Sequence, residues 1–353
     1  MKRIVQGEVI PCELKFIRPA GTSRGVYTRR KVWYIRLLAE DGTIGIGESA
    51  PLPHLSCDDV PDYGDKLEYL VQDSIRNNGI DIDTLRDYPS MLFGLETAMR
   101  HLERSSFSLW DSPFAQGKEG ITINGLIWMG DYEYMKAQIL EKISNGYQCI
   151  KLKIGAIDFE NELALLRMIR KDFDSKKIQL RVDANGAFAP IEAMDKLHRL
   201  SELELHSIEQ PISQGQHGAM KDLCAHSELP IGFDEELIGI NRREDKIRLL
   251  DELSPQYIIL KPSLHGGFVG CKEWIDLAEA MGIGWWMTSA LESNIGLNAI
   301  AQYTACFDNK LPQGLGTGKL FTTNVPVPLT IQGDSLWYIP GDAPSAADNI
   351  LPL

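Results

Sequence analysis

The chain has 353 residues, 44% of them hydrophobic and 24% charged, and a formal net charge of −13. That composition fits a soluble globular protein with a large core, most naturally one large domain plus a smaller one. The acidic balance argues against nonspecific binding to nucleic acid or anionic membranes, but not against a small anionic substrate held at a locally positive site.

No apolar run approaches the roughly 18 residues that span a bilayer. The basic start Met1-Lys2-Arg3 has no apolar stretch behind it, so no signal peptide is expected. Cys12, Cys57, Cys149, Cys224, Cys271 and Cys306 are scattered without a Cys-x-x-Cys. This suits reduced thiols better than a disulfide frame or zinc site, and the expected location is cytoplasmic. No obligate protein partner is expected.

Taken in order, residues 1 to about 50 read as β, with alternating stretches near 8–18 and 30–40. An Asp41-Gly42 hairpin signal leads into a third strand near 43–48. Pro19–Gly25 is rich in glycine and hydroxyls and reads as a mobile loop, and a second loop follows at Glu48–Pro53. Residues 58–106 read as helical, with Leu67, Leu70, Val71 and Ile75, then Leu92, Leu95, Met99 and Leu102, at helical spacing.

From 121 a regular alternation begins. Strand-like runs near 121–127, 147–154, 178–183, 205–209, 229–233, 256–261 and 283–288 are separated by helical runs. Repeating βα units imply a parallel sheet, and seven or eight of them favour a closed barrel. An eighth strand is expected near Gln313-Gly314-Leu315-Gly316, with no regular helix after it. No Gly-x-Gly-x-x-Gly follows an early strand, which disfavours a dinucleotide-binding sheet. Residues 320–353 read as extended chain that rejoins the N-terminal module.

Barrel active sites lie at the C-terminal ends of the strands. Those ends carry Lys151 and Lys153, Asp183, Glu209, Asp234 and Lys261 on five consecutive strands. Side-chain parity puts Lys151, Lys153, Arg181, Asp183 and Lys261 inside, while Ile150, Leu152, Val182 and Leu260 face the helices. Taken singly, each charged residue is as well read as a cap or an exposed strand residue. Five in register are not.

Three converging carboxylates without histidine or cysteine suit a hard divalent cation, Mg²⁺ first and Mn²⁺ as a substitute. Without one, at least one carboxylate would take up a proton. Lysines flanking the cation can remove and return a proton next to a substrate carboxylate. Lys151 and the cation both disfavour a second positive charge, which readies Lys153 as base.

These residues resemble the enolase superfamily in its muconate-lactonizing subgroup, over nearly the whole chain. The resemblance implies a modified TIM barrel, (β/α)7β, over 111–319, and an α+β capping domain from 1–110 plus 320–353 with specificity loops near 19–29 and 49–56. It assigns Lys153 as general base, Lys151 as its tuner and Lys261 as the opposing lysine. Asp183, Glu209 and Asp234 match the metal ligands, and Glu236 is expected to fall outside their shell. Arg181, Ser289, Asn185 and Ser23 are the candidates for holding substrate.

Ser289–Gly296 and Gly314–Gly318 look like the branch that forms 2-succinylbenzoate, and no Asp-x-Asp stands at strand eight as in dipeptide epimerases. The implied reaction is a Mg²⁺-dependent syn dehydration of 2-succinyl-6-hydroxy-2,4-cyclohexadiene-1-carboxylate through an enediolate, in menaquinone biosynthesis. The alternatives are N-succinylamino-acid racemisation or dipeptide epimerisation in the same fold. From other classes come a metal-free Schiff-base lyase with Lys153 as nucleophile, and a non-catalytic barrel used as a scaffold.

Overall fold

The computed structural model describes residues 2–22, 25–342 and 351. The N-terminal module is an antiparallel sheet in the order β1 (Ile4–Thr22), β2 (Gly25–Ala39), β3 (Ile44–Ser49), followed by α1 (Tyr63–Asn77), α2 (Ile82–Leu85) and α3 (Pro89–Arg104). Both faces of this sheet are buried where β2 runs through Val32–Ile35. Trp33, Ile35 and Leu37 pack with Leu67, Val71, Leu92 and Leu95 of the helices, while Val32 and Tyr34 join the core of the barrel. Alternation therefore yields two different apolar environments, which is why the run 32–35 has no polar residue.

The expected loop at Pro19–Gly25 needs correction. The β1–β2 ladder shifts register between Lys15 and Ala20 and then continues through Ala20↔Tyr27 to Thr22↔Gly25. Backbone pairing on both sides of this stretch outweighs the flexible composition. Ser23 lies outside the described residues.

The second layer is built from β4 (Ile121–Thr122), β5 (Gly125–Ile127), α4 (Tyr132–Ser144), β6 (Cys149–Lys153), α5 (Phe159–Asp172), β7 (Gln179–Asp183) and α6 (Pro190–Ser201). It continues with β8 (Ser207–Glu209), α7 (His217–His226), β9 (Ile231–Phe233), α8 (Arg243–Leu253), β10 (Tyr257–Leu260), α9 (Gly267–Met281), β11 (Gly284–Met287) and α10 (Asn294–Thr304). Strands β5 to β11 form one parallel sheet in sequence order, as βα crossovers require.

The single strand expected at 121–127 is divided. Thr122 and Ile121 pair with the C-terminal hairpin, and Gly125–Ile127 pair with β6. At the break, Asn124 N donates to Gln313 O at 3.0 Å. Gln313 and Gly314 are the eighth strand, reduced to bridges with Ile123 and Thr288, and they close the sheet into a (β/α)7β barrel. Gly314 is required there, since an added Cβ would stand 2.2 Å from Thr288 Oγ1.

The chain ends in a hairpin of β12 (Leu329–Gln332) and β13 (Ser335–Tyr338), which pairs with β4. Before it, Leu320 and Thr322 bond to the backbone of Ile17 and Lys15, so this segment also meets the N-terminal sheet. Among the described residues no helix is long and apolar enough to cross a membrane.

Candidate active site

Register brings the charged residues together. Lys153 pairs with Asp183 and Asp183 with Glu209, so the three stand level on neighbouring strands. Lys151 precedes Lys153 by two residues and shares its face. Asp234 follows directly on β9 and Lys261 on β10. These strands are short and their helix-facing residues (Ile150, Leu152, Leu180, Val182, Ile208) are aliphatic and buried, so burial fixes them and the charged ends emerge at one mouth.

Lys151 Nζ lies 2.6 Å from Glu209 Oε2 and 2.9 Å from Asp183 Oδ2. Lys153 Nζ lies 3.0 Å from Asp183 Oδ2 and donates to Asn185 Oδ1 at 2.8 Å. Lys261 Nζ donates to Asp234 Oδ2. The three carboxylates are at most 2% exposed. Asn185 also donates to Glu235 Oε1 at 2.9 Å, and its backbone is in the left-handed region at φ 44°.

The charges of the cluster are unevenly shared. Burial works against the Asp183 charge, but Lys151 and Lys153 hold its carboxyl below the ordinary range. Burial likewise opposes the Asp234 charge and Lys261 overcomes it. Burial and the neighbouring Asp183 charge push the Glu209 carboxyl well up, with Lys151 pulling the other way. Glu209 is thus the carboxylate most ready to hold a proton in the absence of another cation. Burial disfavours the ammonium of Lys151, yet Asp183 and Glu209 raise its pKa, and Asp234 does the same for Lys261.

Among the described residues no group of three or more His, Cys, Asp or Glu side chains is set to hold a metal ion. Ammonium groups occupy carboxylate oxygens instead. The donor set nevertheless suits a hard cation, because Glu209 Oε1 and Asp234 Oδ1 are buried oxygens with no hydrogen-bond partner. Glu236, by contrast, accepts from Gln210 Nε2 at 3.0 Å and Gly215 N at 2.8 Å and takes no part in the cluster. Gln210 Oε1 in turn accepts from Asp234 N at 3.4 Å and Glu236 N at 3.1 Å, linking the loops behind Glu209 and Asp234.

A pocket opens above Lys151, Lys153, Asp183, Asn185, Glu235 and Lys261. Its other walls are largely apolar: Tyr27, Leu52 and Leu55 from the N-terminal module, Leu126 and Trp128 from the first barrel strand, and Leu291. Ser289 and Thr317 share a hydroxyl hydrogen bond of 2.6 Å on this lining. A charged floor under apolar walls suits a small anion with a hydrophobic body.

Of the candidates for substrate contact, Ser289 and Asn185 line the pocket and Arg181 does not. Arg181 stands two residues before Asp183, roughly 7 Å deeper in the barrel at about 3.3 Å per residue. There its guanidinium donates to Pro312 O at 2.8 Å and lies 4.1 Å from the Trp286 ring centroid. Asn124 and Thr317 were missed by the sequence reading. Asn124 stands at the break before β5, where no strand-end rule points, and only the tertiary fold brings it, Thr317 and Tyr27 to the pocket.

Residues 134–334 match the family described as Enolase C-terminal domain-like. An o-succinylbenzoate synthase from Desulfotalea psychrophila is 46% identical over 356 residues, covering 92% of this chain and 96% of the relative. The crystal structure of MenC from that organism superposes with a TM-score of 0.82 at 41% identity, covering 94% of this chain and 99% of the other. A dipeptide epimerase from Enterococcus faecalis, complexed with Mg and the dipeptide L-Leu-L-Tyr, has a TM-score of 0.83 at 20% identity, covering 98% and 99%. That last likeness is one of fold.

Proposed function

The chain belongs to the enolase superfamily, and from that premise we propose that it is an o-succinylbenzoate synthase, a lyase that dehydrates 2-succinyl-6-hydroxy-2,4-cyclohexadiene-1-carboxylate to 2-succinylbenzoate. The observation that carries the reading is the pair of lysines, Lys153 on β6 and Lys261 after β10, on either side of three buried carboxylates beneath an apolar pocket. The 46% identical synthase supports the choice of reaction.

In this mechanism Lys153 Nζ takes the proton α to the ring carboxylate and then delivers it to the departing 6-hydroxyl on the same face. One group therefore serves both half-steps, as syn elimination requires. To do so it must leave Asp183 Oδ2 and keep its anchor on Asn185 Oδ1. The Lys261 ammonium stabilises the negative charge that grows on the carboxylate oxygens as the enediolate forms. Lys151 keeps its charge and holds Asp183 and Glu209 in place. Asp183, Glu209 and Asp234 would hold Mg²⁺, which supplies Lewis-acid stabilisation to the substrate carboxylate when bound. The apolar walls exclude water from the ring and leave the cleavage to Lys153.

N-succinylamino-acid racemisation is the second reading, since two facing lysines can serve the two enantiomers. Dipeptide epimerisation is less well served, as Gly314-Leu315-Gly316 offers no carboxylate to a substrate amine. The deciding experiment supplies the cyclohexadiene substrate with Mg²⁺ and follows 2-succinylbenzoate, with N-succinyl amino acids in D₂O alongside. Deuterium incorporation without any ring dehydration would overturn the synthase reading in favour of racemisation.

A further inference from the structure

Arg30 lies on β2, and it is 1% exposed. Its guanidinium meets four backbone carbonyls. Nε donates to Leu291 O and Nη2 to Ala290 O, each at 3.2 Å. Nη1 and Nη2 donate to Pro51 O and Ala50 O. The first pair belongs to the loop after β11, the second to the stretch after β3. One side chain thus ties a barrel loop to a loop of the N-terminal module.

The tied loops carry part of the apolar lining of the pocket, Leu52 and Leu55 from one and Ala290 and Leu291 from the other. Leu291 is held at φ 64°, in the left-handed region that a leucine rarely adopts. The bonds around it over-determine that conformation. Arg30 holds its carbonyl, Ala290 N donates to Glu292 Oε2 at 2.7 Å, and Ser263 Oγ donates to Glu292 Oε1. Strain of this kind persists where the surroundings fix it, and it clusters at functional sites.

Burial disfavours the Arg30 charge, and Glu292 and Glu48 offset part of that. Apolar side chains could join the two loops with less desolvation. What the guanidinium adds is geometry: a rigid, planar fork of five donors that fixes how far apart the loops sit.

Resting on the synthase reading above, we propose that Arg30 is a positioning residue that sets the placement of Leu52 against Leu291 and so favours a flat ring substrate over an acyclic N-succinylamino acid. Arg30→Lys tests this, because a lysine keeps the charge but cannot span four carbonyls. In the Mg²⁺-loaded enzyme the variant should keep kcat for ring dehydration within about threefold, with KM raised about tenfold. Its preference for the ring substrate over N-succinylphenylalanine, taken as the ratio of kcat/KM, should fall by about fivefold or more.

A merely structural role would lower the folded fraction and reduce both activities by one factor, leaving KM alone. Pro51→Gly loosens one tied loop while keeping the Arg30 side chain and the carbonyl it bonds, and the same KM-led loss is expected there should Arg30→Lys fold poorly. Parental KM in the folded variants, or an equal loss on both substrates, overturns the proposal. A parent enzyme that does not turn over the ring substrate would instead overturn the underlying synthase reading.

Discussion

Lys151 on β6 donates to Glu209 on β8 across 2.6 Å, reaching over the intervening strand β7. The bond holds together two buried groups that would each be costly alone. Removing one partner of such a pair costs about 3–5 kcal/mol, because the other is left charged and unpaired. Lys151→Met should therefore destabilise the metal-free protein, but by less than that, because Lys153 stays on Asp183 and Glu209 can take up a proton. Added Mg²⁺ should recover more stability in the variant than in the parent, since the carboxylates gain a cation. Chemical denaturation with and without Mg²⁺ reads both effects, and an equal Mg²⁺ effect in the two proteins would count against the assignment of Asp183 and Glu209.

Lys153 is expected to be indispensable for proton transfer and dispensable for the fold. It is a half-buried side chain at the end of β6, bonded to Asp183 and Asn185. Lys153→Ala should lower kcat by on the order of 10³-fold or more. Its circular dichroism and its Mg²⁺ binding by calorimetry should match the parent. Substantial turnover in this variant would move the base elsewhere.

The carboxylate set makes a separate prediction about the cation. Asp183→Asn should weaken Mg²⁺ binding by at least about tenfold, as loss of one charged ligand of three removes more than about 1.4 kcal/mol. Activity should fall in parallel and be recoverable only at high Mg²⁺. Full activity of the parent in excess chelator would falsify the metal role.

Glu48 gives a prediction about pH. It is fully buried and accepts from Ser293 N, Ser293 Oγ and Gly296 N at the start of α10. Burial, against those hydrogen bonds, pushes its carboxyl from the ordinary 4.5 up to about 7. The native state therefore holds a proton that the unfolded chain releases. Its contribution to stability is complete below about 4.5 and lost as pH rises through about 7, a change on the order of 3 kcal/mol. Glu48→Gln should flatten the stability profile between pH 5 and 7 relative to the parent, as urea titrations across that range would show.

Much of this arrangement was legible in the sequence because the barrel repeats one physical pattern. On each strand the residues facing the helices are aliphatic while the barrel-facing ends are charged, so Lys153, Asp183, Glu209, Asp234 and Lys261 are legible in order. The split of β4 from β5 was not legible, because the break depends on Gln313 arriving from the far end of the chain. Nor was the burial of Arg30, which sits in Thr28-Arg29-Arg30-Lys31 and looks like any residue of a polar strand end. At Pro19–Thr22 composition points to flexibility, whereas the pairing with β2 decides the conformation.

The closure of the barrel through Gln313 and Gly314 also bears on the order of assembly. The two halves of that seam are made at opposite ends of synthesis: Ile123 leaves the ribosome early, and its partner follows only when the barrel is almost complete. Until then the sheet must exist as an open ribbon with a bare first edge. Contacts of such long sequence separation carry a high closure entropy and form slowly. The amides of Gln313 and Gly314 are thus expected to gain protection after those of β6 and β7 in pulse-labelled hydrogen exchange. Simultaneous protection would mean that the barrel closes as it collapses.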